Sequence, residues 1–142
     1  EHRIDRYLGK LSGPLLDRFD LIIEVPRLSQ AELLQTEPDL TDWTGIKQRV
    51  AECRQSQKRR NGKLNSDLQG SELNTFCELS DKMRDTLAGI MEKLGMSASA
   101  THRVIKVART IADFGEQEKI SEQNLMEAIS YRRVQHLNSI LK

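Results

Sequence analysis

Aromatic side chains are scarce in this sequence: one Trp, two Tyr and three Phe make up 4% of its 142 residues. Strands draw heavily on aromatic and β-branched residues, so this poverty, set beside a charged content of 30%, points to a helical module and away from a β-sandwich. Cysteine is nearly missing as well. Cys53 and Cys77 stand far apart, form no CxxC pair and have no histidine set beside them, because His2, His102 and His136 are scattered. A tetrahedral zinc site therefore has no ligands, and both cysteines read as reduced thiols, small and partly buried on helices. No apolar run reaches the ~20 residues of a membrane span, and no apolar stretch near the start resembles a secretory signal. The chain is expected to be soluble, cytoplasmic and without a membrane partner. An excess of one charge is also lacking, since 22 Lys and Arg meet 21 Asp and Glu. What selects a partner must then be local clusters, not the total. Finally, there is no Gly-rich phosphate loop, no HExxH, no nucleophile flanked by a base and no carboxylate pair on a shared apolar face. A complete active site is excluded.

What is present is helical periodicity. Residues 3–19 repeat apolar side chains at three and four, broken by Ser12, Gly13 and Pro14, so one short helix should end near Lys10 and another start near Ser12. "DLIIEV", Asp20 to Val25, is a continuous apolar run that reads as a buried strand of the parallel-sheet kind. One strand cannot satisfy its own ladder, and no second run of similar quality follows, so its sheet is expected to lie outside this sequence. A start at Glu1 without methionine agrees with a piece excised from something longer. Residues 27–42 turn polar and form a linker, with a short helical candidate at Gln30 to Leu34. Trp43, Ile46, Val50 and Cys53 then predict the buried stripe of a helix from about Asp42 to Arg60, stopped by Asn61-Gly62. A short helix is expected at Glu72 to Glu78. Ser80, Ser97 and Ser121 are placed to cap three more, closing at Gly95, at Gly115 and at about His136. Residues 43–142 thus read as a bundle of four or five helices.

Two basic features could carry function. Arg18 in "LLDRFD" sits where a short helix meets the strand, a rigid place from which to aim a guanidinium. Spacing alone favours a local ion pair with Asp17 or Asp20. The second feature is the helix bearing Lys47, Arg49, Arg54, Lys58, Arg59 and Arg60, followed by Lys63. Such a run can hold nucleic acid phosphates through counterion release, but with little aromatic interleaving a solvated helix face explains it equally well. Arg103, Lys106 and Arg109 line a further helix at steps of three, on adjoining faces, and need not act together.

Four stretches, "YLGKLSGPLLDRFDLIIEVPRLS" at 7–29, "RNGKLNSDLQGSEL" at 60–73, "KVARTIADF" at 106–114 and "ISEQNLMEAISYRR" at 120–133, resemble the ComM-like (YifB-like) branch of the magnesium-chelatase-related AAA+ ATPases. The resemblance implies a mainly α chain: residues 1–26 as the final helix and strand of an α/β core, then the linker, then a helical lid domain over 43–142. The phosphate loop and the acidic magnesium-holding motif would lie upstream, so ATP and Mg2+ belong to the intact parent and this piece alone would not hydrolyse ATP. Arg18 matches the family's arginine finger, which reaches a neighbour's γ-phosphate in a ring of identical subunits, expected here as a hexamer, with Asp17 and Asp20 orienting it. A planar, permanently charged fork suits the charge on a transferring phosphoryl group. Relatives carry a pattern like S-A-R-A-x-x-R at the start of a lid helix. Here it reads "SASATHR", so Ser99 stands in place of the first arginine and Arg103 fits the second as a nucleotide contact. The branch is linked to natural transformation and branch migration on DNA, which makes Arg54, Lys58, Arg59 and Arg60 the DNA-contact candidates. Two other readings remain: a helical DNA-binding or oligomerisation module without an ATPase role, and, further off, a porphyrin-metallating chelatase subunit.

Overall fold

A computed structural model describes residues 15, 18–23, 25–27, 29, 30 and 41–132. Among them are five α-helices and one 3-10 turn: α1 Trp43–Asn61, the turn Asn65–Asp67, α2 Ser71–Phe76, α3 Asp81–Leu94, α4 Ala98–Phe114 and α5 Glu122–Ser130. The helices start where polar side chains can take up free backbone N–H groups. Asp42 Oδ1 accepts from Gly45 N at 2.9 Å, Ser80 Oγ from Met83 N at 3.3 Å and Ser97 Oγ from Ala100 N at 3.1 Å. Ser121 and Asn124 cap each other reciprocally, Ser121 Oγ accepting from Asn124 N and Asn124 Oδ1 from Ser121 N. Gly62 and Gly95 end α1 and α3 with φ of +74° and +61°, a left-handed turn that a side chain would strain.

The core gathers around α4. Ala100, Val104, Ala108 and Ala112 recur every four residues on its inner face, each at most 1% exposed, and their small side chains let α5 lie close through Leu125, Ala128 and Ile129. Leu68, fully buried beyond the 3-10 turn, and Leu73, Met83 and Leu87 close the other side. The mainly α architecture expected for a lid domain is what the described residues adopt.

Three expectations change. The strand at Asp20 to Val25 does not form: residues 20–23 and 25 carry no strand structure, and Phe19, Leu21, Ile23 and Val25 are 45–82% exposed. A lone segment has no ladder to join, so its backbone takes what is near, and Ile22 N donates to Tyr131 O at 2.9 Å. That bond also marks the second change. α5 closes at Ser130, not near His136, with Tyr131 and Arg132 in a turn whose N–H groups return to Glu127 O and Ile129 O. Third, of the stripe expected to bury α1, only Cys53 is inside. Trp43, Ile46 and Val50 are 57%, 43% and 40% exposed, and no residue from 43 to 52 is buried. Among the described residues the first part of α1 buries no side chain, so apolar periodicity there does not mark a core face. The helices expected near Lys10, from Ser12 and at Gln30 to Leu34 lie wholly or mostly outside the described residues.

Truncating Leu68 tests where the core is anchored. Leu68→Ala should cost about 2–5 kcal/mol, read as a lower urea midpoint at unchanged slope.

Candidate functional site

Asp113, near the end of α4, holds the cationic part of the molecule in place. Its carboxylate accepts from Arg60 in a fork, with Nη1 on Oδ1 and Nη2 on Oδ2 at 2.9 Å. Arg109, one turn earlier on the same helix, adds Nε at 3.1 Å and Nη2 at 2.8 Å to Oδ1. Asn65 Nδ2 donates to Oδ2 at 2.8 Å. The Asp113 and Arg109 side chains are 2% and 3% exposed, so neither charge has water to fall back on. The remaining polar atoms are matched too. Arg109 donates to the carbonyls of Glu118 and Gln117 at 2.9 and 2.6 Å, and Asn65 Oδ1 accepts from Asn61 and Arg60. Gln57 Oε1 takes Asn65 N at 3.0 Å while its amide donates to Cys53 Sγ at 3.4 Å. One carboxylate thereby ties α1, the 3-10 turn, α4 and the loop after it together.

Burial works against the charged form of Asp113, but the hydrogen bonds from Arg60 and Asn65 and the charges of Arg109 and Arg60 outweigh it and hold the carboxyl below its usual range. The two thiols move the other way. Burial raises Cys53, and pushes Cys77 up to about 11, so both stay protonated at neutral pH and lack the thiolate that nucleophilic chemistry needs. No group of three or more His, Cys, Asp or Glu among the described residues is placed to hold a metal ion.

The cations of α1 divide by helix face. Arg49, Arg59 and Arg60 line an open groove of about 640 Å³ with Glu52, Asp113, Glu116 and Glu118 among its walls, and Arg49 lies 4.9 Å from the centre of the Phe114 ring. Carboxylates interleave with these arginines, which makes the groove a mixed-charge surface and not an anion site. Lys47, Arg54 and Lys58 project elsewhere, exposed, with no hydrogen bond or ion pair among the described residues. Of the four DNA-contact candidates, Arg60 is therefore committed to Asp113, Arg59 borders the groove and donates to Ser56 Oγ at 3.5 Å, and Arg54 and Lys58 stand in solvent.

Arg18 and Arg103 sit on the other feature. Arg18 is exposed in a turn closed by its own N–H on Leu15 O at 3.0 Å, and its guanidinium makes no hydrogen bond or ion pair among the described residues, outside which Asp17 lies. Asp20, which spacing offered as its partner, instead pairs with Arg103 of α4 at 2.8 Å. Arg103, Lys106 and Arg109 do act separately, on Asp20, the Ser66 carbonyl and Asp113. The signal that could have revealed the Asp113 cluster was Arg109 and Asp113 at i and i+4 inside the apolar face of "KVARTIADF", where a charge must be paired.

Asp113→Asn should cost about 3–5 kcal/mol at neutral pH, since it strands two arginines, one of them buried. A depressed folded value means that the charge contributes fully above the unfolded pKa, about 3.9, and is lost as pH falls through the lower folded value. The gap between wild type and variant in urea midpoint should thus narrow as pH drops below about 4. Asp20→Asn removes a half-exposed pair worth at most about 1 kcal/mol. It should leave global stability nearly unchanged while speeding amide exchange at Ile22.

Residues 42–132 match the family described as magnesium chelatase, subunit ChlI C-terminal, and residues 1–33 match magnesium chelatase, subunit ChlI. The chain is 42% identical over 135 residues to competence protein ComM of Haemophilus influenzae, covering 95% of this chain and 26% of that protein. It is 42% identical over 132 residues to the protein YifB of Escherichia coli, covering 93% and 26%. A Mycobacterium tuberculosis protein, Rv2897c, is 29% identical over 132 residues, covering 90% and 26%. The chain spans about a quarter of the length of these curated relatives. Its helical region matches the family over most of the described residues, and it belongs to the magnesium-chelatase-related family, as a ComM-like member.

Proposed function

We propose that this chain is the lid-bearing C-terminal part of an ATP-driven ring ATPase that moves along DNA and promotes branch migration in recombination or natural transformation. The name of its Haemophilus relative, a competence protein, supports the direction of that reading. In the parent, Arg18 is the finger that reaches the neighbouring subunit's γ-phosphate, where a fixed planar cation stabilises the charge of the transferring phosphoryl group as water attacks and ADP leaves. ATP supplies that phosphoryl group, and Mg2+ with the phosphate cradle is assigned to the part of the parent preceding this sequence.

The observation that carries the finger is the fate of Asp20. A guanidinium tied to two flanking carboxylates would be spent locally, whereas Asp20 is occupied by Arg103 and the Arg18 guanidinium faces solvent. Arg103 is the nucleotide contact of its own subunit in this reading. Its pair with Asp20, 34% and 58% exposed, is weak enough to give way to phosphate. Exposed Leu21, Ile23 and Val25 support placing this segment against the parent's α/β body, which would cover them.

DNA contact falls to α1, whose own sequence is strongly basic. Residues 43–63 hold seven Lys and Arg against one Glu. The same observation favours a second reading, a DNA-binding module with no part in hydrolysis. The two separate cleanly at Arg18. In the full-length parent Arg18→Ala should leave ATP binding intact and lower turnover by about 10³-fold or more, while DNA affinity holds. Undiminished turnover in that variant refutes the finger.

A further inference from the structure

A second cavity, distinct from the groove beside α1, opens where α2, α3 and α4 meet. It measures about 220 Å³, and Leu73, Leu87 and Ile105, one from each helix, form its apolar floor. The contributing positions on α3, which are Arg84, Leu87, Ala88 and Met91, recur at three and four, as His102 and Ile105 do on α4. Each set therefore lies on one helix face, and the faces converge. Ala88, short and exposed, leaves room where a longer side chain would enter.

Three polar side chains border the same cavity. Arg84 Nε donates to Leu79 O at 3.1 Å, which steadies the guanidinium and leaves both Nη groups without a hydrogen bond or ion pair among the described residues. Asn74 and His102 likewise make no side-chain hydrogen bond among the described residues. No Asp or Glu lines this cavity, in contrast to the groove beside α1. A forked cation held at Nε suits a carboxylate, which accepts two parallel N–H bonds. The imidazole offers an N–H in either protonation state, and the amide of Asn74, donor and acceptor at once, can pair with a peptide group. The volume falls below the roughly 300–1,000 Å³ of ordinary cofactor sites and suits one bulky apolar side chain. An apolar side chain, a carboxylate and a peptide group occur together in the last residue of a polypeptide.

We propose that this cavity captures the C-terminus of a partner protein that ends in leucine or a similarly apolar residue. The last side chain enters over Leu87 and Ile105, its carboxylate takes the Arg84 fork and the His102 N–H, and the final peptide group pairs with Asn74. A free fatty acid supplies the stem and the carboxylate but leaves Asn74 without a peptide group. The site needs neither ATP hydrolysis nor DNA contact, so it adds to the reading above and stands or falls apart from it.

Fluorescence anisotropy of a labelled glycine-serine peptide ending in leucine should show saturable binding to the 142-residue protein. Capping that leucine as its amide should weaken binding at least about fivefold. Arg84→Gln should do the same, and in that variant the free and capped peptides should bind alike, because the two changes remove one interaction. Ala88→Phe fills the cavity from an exposed position and should weaken both peptides at least about tenfold. Lys93→Gln, which removes an exposed cation of the same helix, should change neither. Octanoate should displace the peptide only weakly. An absence of saturable binding at millimolar peptide overturns the proposal, as does equal affinity of the wild type for the free and capped forms. Octanoate that binds more tightly than the peptide assigns the cavity to free acids and overturns it as well. Arg84 also holds the Leu79 carbonyl, so urea midpoints are measured for each variant. Ala88→Phe removes no hydrogen bond, and undiminished peptide binding by that variant overturns the proposal whatever the stability of Arg84→Gln.

Discussion

Everything on the cationic side of this molecule depends on the carboxylate of Asp113. Two arginines and an asparagine converge on it, and through them a helix of 19 residues, a 3-10 turn and the loop before α5 are held to one point of α4. Burying an ion pair costs more solvation than a single contact returns, and the arrangement persists because each remaining donor and acceptor has found a partner. Its benefit is less bulk stability than geometry. α1 buries only Cys53 and Gln57, far too little apolar surface to fix its direction. The polar cluster does this instead, and so decides which of its cations face a carboxylate-lined groove and which face water.

The helices were legible because their ends are written in local chemistry. Ser80, Ser97 and Ser121 cap where hydroxyls precede an apolar run, Gly62 and Gly95 stop where only a left-handed turn will serve, and neither needs distant residues to be understood. The apolar residues of α4 follow a related rule, since a period that matches a helix must face a core if one is near. α1 shows the limit of that reasoning. Trp43, Ile46 and Val50 repeat as faithfully as any core stripe, yet each is exposed by 40% or more. Periodicity tells which side chains share a face. It says nothing of what lies opposite.

The site residues were legible in type but not in partnership. A sequence offers Arg18 the carboxylates beside it, whereas the fold brings Arg103 across 83 positions to take Asp20. Likewise Arg60 looks like one more cation in a basic run until Asp113, 53 positions away, is seen to claim it. In both places tertiary contact withdrew one member of a charge cluster and left another exposed. A strand without a sheet behaves similarly: the run Asp20 to Val25 has the right composition, but ladder formation is a property of two segments.

The charge gathered on α1 has a consequence at distances longer than any contact. Beyond residue 63 the described chain carries eight Lys and Arg against eleven Asp and Glu, so a positive helix stands on a mildly negative body. Such a molecule has a pronounced electric dipole and turns in the field of a polyanion before touching it. Encounter would then be oriented as well as accelerated, with α1 arriving first. At physiological ionic strength that guidance reaches only about 8 Å, so salt would set not just how tightly the helix is held but how often it arrives facing the right way.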